Sequence, residues 1–102
     1  MTTRRLLPNR RQAETFEVQR DKTTFAVTVG YFPEGGVAEV FVTGAKTGSE
    51  FEAVARDGAV LLSLAVQHGV PIDVMRGAVT REGNGAASTI IGAVLDRLGK
   101  PP

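Results

Sequence analysis

There is no cysteine in this chain of 102 residues, which excludes disulfides, thiolate metal sites and every mechanism that needs a sulfur nucleophile or a thiyl radical. The redox compartment is left open by that absence. A single histidine, His68, is too few for most zinc sites, so no metal or cofactor is expected. No apolar run approaches the ~18 residues needed to span a bilayer, and the N-terminus carries arginines without the apolar stretch of a signal peptide. The membrane is therefore not an expected partner, and the cytoplasm is the expected location.

Charge of one sign is scarce as well, with a net charge of only +1. What charge there is lies unevenly. Residues 1–22 hold six basic side chains against three acidic ones, a local +3. Arg4, Arg5, Arg10 and Arg11 lead this stretch. Such an arm can reach nucleic acid or an acidic partner by releasing counterions, but no aromatics are interleaved with the arginines, and a solvated terminus is the readier reading. Nucleic acid is not the expected partner.

With 42% hydrophobic and 23% charged residues, the remainder has the composition of an ordinary globular protein. It is long enough for one core and short enough for an oligomer interface to add usefully to its stability. The expected organisation is a basic arm over residues 1–13 and a single α+β domain over 14–99.

Period-2 alternation marks three strands. Phe16 and Val18 alternate with Glu17 and Gln19 between Thr15 and Arg20. After a tight turn at Asp21-Lys22, residues Thr24 to Phe32 place Phe25, Val27, Val29 and Tyr31 on one face, a pattern strengthened by its β-branched and aromatic content. Pro33-Glu34-Gly35-Gly36 is a turn. Val37 to Thr43 then places Ala38, Val40 and Val42 on one face. Short connections make this an antiparallel meander whose apolar face needs a cover.

The cover follows in sequence. Ser49 with Glu52 forms a capping box, the hydroxyl accepting from the Glu52 amide and the carboxylate reaching back to the Ser49 amide. A long helix should run from there to about His68, apolar almost all round between Gly58 and Val66 and so buried on more than one side. Gly69 suits a left-handed C-terminus, Pro71 blocks continuation and opens a second helix from Ile72 to about Val79, and Ser88 caps a third from Thr89 to Leu98. The predicted fold is α+β: a three-stranded antiparallel β-meander followed by a long central helix and two shorter helices packed on one face.

Candidate sites are few. The loop Gly44 to Ser49 joins a strand to a helix N-terminus, where Lys46, Gly48 and Ser49 can hold a phosphate or carboxylate, as in a nucleotide site. The spacing is not that of a Walker A motif, and the alternative is that the glycines turn the chain while Ser49 caps. His68 reads as a cap at a helix C-terminus. No base, nucleophile and orienting group stand together, so no catalytic residue is named. Arg56 and Asp57 interrupt the apolar helix. With Leu61 and Leu64 they are candidates for a subunit interface, because the apolar surface exceeds what one small sheet covers, and a homodimer is the expected assembly.

Taken in order, Leu7-Pro8-Asn9-Arg10-Arg11, Gly30-Tyr31-Phe32-Pro33-Glu34-Gly35, Ala38-Glu39-Val40-Phe41-Val42, Lys46, Gly48-Ser49 and Leu62-Ser63-Leu64-Ala65-Val66-Gln67-His68-Gly69-Val70-Pro71 resemble the C-terminal region of cobalamin-dependent (class II) ribonucleotide reductases. That module, the TSCPD domain, also occurs as short stand-alone proteins. The resemblance covers roughly residues 6–79 and lies in the order and spacing of several short motifs. The Thr-Ser-Cys-Pro-Asp motif that names the domain is absent, as is any cysteine pair for re-reduction. Reductase chemistry needs a thiyl radical and two reducing thiols, so this chain alone is not the enzyme. The resemblance implies a stand-alone, non-catalytic accessory module that works by protein contact, with a ribonucleotide reductase or another protein as a possible partner.

Overall fold

The computed structural model describes residues 3–20, 22–44 and 48–99. Three strands, β1 (Ala13–Arg20), β2 (Thr23–Tyr31) and β3 (Val37–Gly44), precede three helices, α1 (Glu50–Gln67), α2 (Ile72–Ala78) and α3 (Ile90–Gly99). The strands form one antiparallel sheet in the order β1-β2-β3. This is the predicted α+β arrangement, with the helices gathered on one face. Asp21, expected in a tight turn, and Lys46, a candidate for an anion site, lie outside the described residues.

Register follows from the alternation, because a slip of one residue would turn every apolar side chain to the other face. Val18 pairs with Phe25, Phe16 with Val27, Val27 with Val42 and Val29 with Val40. Phe25, Val27 and Val29 are thereby fully buried. Ala55, Ala59 and Leu62 of α1 and Ile90, Val94 and Leu95 of α3 close over them. The two helices approach where α1 has Gly58: a Cβ there would lie 2.7 Å from Cγ1 of Ile91. Glycine at that position trades helix propensity for close packing.

The helix ends explain themselves locally. Ser49 Oγ accepts from the Glu52 amide at 3.1 Å, while the Glu52 carboxylate accepts from Gly48 N–H at 3.4 Å, one residue earlier than the capping box predicts. Gly69 takes φ 90°, and Gly69 and Val70 donate back to Val66 and Ala65 at 3.0 Å each, closing the C-terminus of α1. At α3 the cap is Thr89 and not Ser88. The Gly92 amide donates to Thr89 Oγ1 at 3.0 Å, and the Ser88 hydroxyl is turned to Glu82.

One expectation fails. The apolar stretch of α1 is not buried on several sides: only the stripe through Glu52, Ala55, Ala59, Leu62 and Gln67 is buried. Val54, Val60, Leu61 and Leu64 face outward, because the three-stranded sheet and two short helices reach only one side of an 18-residue helix.

Candidate interface along the first helix

β3 is an edge strand, so every second residue presents a backbone N–H and C=O with no neighbouring strand. α1 lies beside that edge. Two strand residues advance about 6.7 Å and four helix residues about 6 Å, so side chains one helical turn apart keep step with alternate strand residues. Ser63 meets Val40, its Oγ accepting from the Val40 amide at 2.8 Å and lying 3.0 Å from the Val40 carbonyl. One turn on, Gln67 Nε2 donates to the Ala38 carbonyl at 2.9 Å. Ser63 and Gln67 thus stand in for a fourth strand. Neither residue was singled out in the sequence; the available signal was two polar side chains four apart in the apolar second half of the helix.

The arginine-rich arm completes the edge. Arg4 Nε donates to Gln67 Oε1 at 2.6 Å, and the Arg5 amide donates to the Gln67 carbonyl at 2.7 Å. The Arg5 guanidinium stacks 3.8 Å over Phe32 and holds Glu34 at 2.7 Å. This pairing lowers the Glu34 carboxyl to about 2. Arg11 pairs with Glu39, which is 8% exposed. Three of the four arginines weighed as a nucleic-acid arm therefore bond to the domain itself; Arg10 is exposed beside them.

Between β3, α1 and the arm runs a half-open groove of about 390 Å³, floored by Val42, Val60 and Leu64 and bordered by Phe41, Arg4 and Arg56. On the other side of α1 a smaller apolar crevice of about 290 Å³ opens among Leu61, Met75, Val79 and Ile91. α1 stands between them as a ridge: Val54 is 62% exposed, Val60 55%, Leu61 67% and Leu64 37%. Of the predicted interface residues, Arg56 and Leu64 meet at the first groove, Leu61 lines the second, and Asp57 is exposed on the same helix.

Compared with known proteins, the chain matches the model of the TSCPD domain over residues 1–98. The chain belongs to the TSCPD domain family. The match takes in the arm and most of α3, beyond the 6–79 span of the motif resemblance. It is 34% identical over 70 residues to a vitamin B12-dependent ribonucleotide reductase of Agrobacterium fabrum, covering 69% of this chain and 6% of that protein. A reductase of the same description from Rhodopirellula baltica is 35% identical over 72 residues, 71% of this chain and 7% of that protein. The TSCPD chain thus spans a small fraction of the length of these relatives. No solved structure matches it.

In this TSCPD domain, Gly48 and Ser49 are engaged as described at the start of α1, where the Glu52 carboxylate already takes a loop amide. Among the described residues no three of His, Cys, Asp and Glu come together as metal ligands, and no helix is long and apolar enough to cross a membrane. One ionic cluster ties the C-terminal elements together. Arg81 holds Asp96 at 2.7 and 2.9 Å, and Arg76 joins at 3.2 Å, lowering Asp96 to about 2 through the Arg81 bond first. Tyr31, partly buried and donating to Glu14 at 2.5 Å, is pushed up to about 12.

Proposed function

We propose that this TSCPD domain is a non-catalytic accessory or assembly module that acts by protein contact and associates as a homodimer through the outer face of α1. The observation that carries the reading is the ridge of Val54, Val60, Leu61 and Leu64, which together with Phe51 leaves five large apolar side chains to solvent on one helix. Scattered apolar residues are ordinary on a surface, but several on the exposed side of one helix, flanked by two grooves, have the form of a protein-contact site. The relatives, named as vitamin B12-dependent ribonucleotide reductases, support an accessory role beside such an enzyme as a further partner. The small share of those proteins that the chain matches supports a part without the reaction centre. A cytoplasmic location accords with this reading.

Light scattering across the micromolar range tests it. The mean mass should rise with concentration from that of one chain toward that of two. A mass fixed at one chain over the whole range would count against the homodimer.

A further inference from the structure

The outer face of α1 is polarised in charge across its width. Successive helix residues are about 100° apart, so Ala53, Val60 and Leu64 fall within about 40° of one another and form a narrow seam along the helix. Arg56 lies to one side of that seam and Asp57 to the other. Arg56 borders the groove beside β3, where Arg4 adds a second guanidinium. Asp57 and Glu50, both exposed, lie on the opposite flank with Leu61. Among the described residues neither Arg56 nor Asp57 has an ion-pair partner. Glu39, the one carboxylate on the basic flank, is neutralised by Arg11.

We propose that the occupant of this face is a second copy of the chain, packed with the two α1 helices side by side and pointing the same way about a two-fold axis parallel to them. This deepens, and rests on, the assembly reading above. The argument is charge complementarity. A two-fold axis parallel to the helices sets the basic flank of one copy against the acidic flank of the other, so Arg56 meets Asp57 of the second copy twice. Antiparallel packing about a perpendicular two-fold sets like flank against like flank, bringing the Arg4 and Arg56 side of each copy together. Opposite-flank pairing of this kind is what orients parallel helix pairs. Val60 and Leu64 then lie at the seam, with Ala53 allowing close approach.

The natural absence of cysteine makes the test clean. In a parallel pair each seam position faces its own copy, so Ala53→Cys, Val60→Cys and Leu64→Cys should each give a disulfide-linked dimer on mild oxidation, within the Cα separation of about 4.4–6.8 Å that a disulfide accepts. Thr15→Cys, on the far face of the sheet, should not. Arg56→Asp alone should weaken association about tenfold, and adding Asp57→Arg to it should restore association. Cross-linking at one seam position only, or no restoration by the double change, overturns the parallel geometry. If light scattering still shows a dimer, the assembly reading survives that result. A chain that neither cross-links at any seam position nor gains mass with concentration overturns both.

Discussion

Ser63 shows how much one side chain can settle at an edge strand. Its hydroxyl accepts the Val40 amide and offers its proton to either the Val40 or the Ala59 carbonyl. Ser63→Ala removes these partners beside a largely apolar groove and should cost about 1–3 kcal/mol, the penalty for leaving such groups unpaired. Urea denaturation reads it, and a loss of only a few tenths would mean that water replaces the hydroxyl at no cost. The sequence could not point to Ser63, because nothing local says which strand is the edge that its hydroxyl would meet. The arm was hidden for the same reason. Arg5 and Arg11 find Glu34 and Glu39 across 29 and 28 residues of chain, and a charge count sees the arginines without their carboxylates.

At the scale of elements, the strands and the ends of α1 were legible because their causes are local: alternation fixes a face, Ser49 starts a helix and Gly69 stops one. The burial of α1 was not. Apolar count tells how much surface wants covering, and it is silent on whether the cover belongs to the same chain. α2, the loop after it and α3 are tied by one carboxylate, Asp96, between Arg81 and Arg76, and this gives a prediction about pH. The folded pKa of Asp96 is depressed from 3.8 to about 2, so its contribution is fully present above the ordinary carboxylate range and is lost as pH falls toward 2. Asp96→Asn should therefore be less stable than the natural chain at neutral pH, with the difference shrinking as the solution is acidified through that window. A difference independent of pH would mean that the ion pairs contribute nothing and that only packing was disturbed.

At the scale of the whole molecule, the domain has one well-filled core and one unfilled face. Fully burying a side chain such as Leu or Val is worth about 1.5–3 kcal/mol, and two copies offering Val60 and Leu64 gain at most on the order of 6–12 kcal/mol. The loss of free motion on association costs about 4–15 kcal/mol. The balance favours a reversible, concentration-dependent pair over a permanent one, sensitive to a single charge at the seam. Sedimentation equilibrium on the natural chain and on Leu64→Asp measured side by side is the most direct test. Leu64 lies outside the buried cluster, so the variant should fold with a denaturation midpoint close to that of the natural chain. The account predicts a monomer–dimer equilibrium for the natural chain and a monomer at every concentration for the variant; identical behaviour of the two, whether both monomeric or both dimeric, would contradict it.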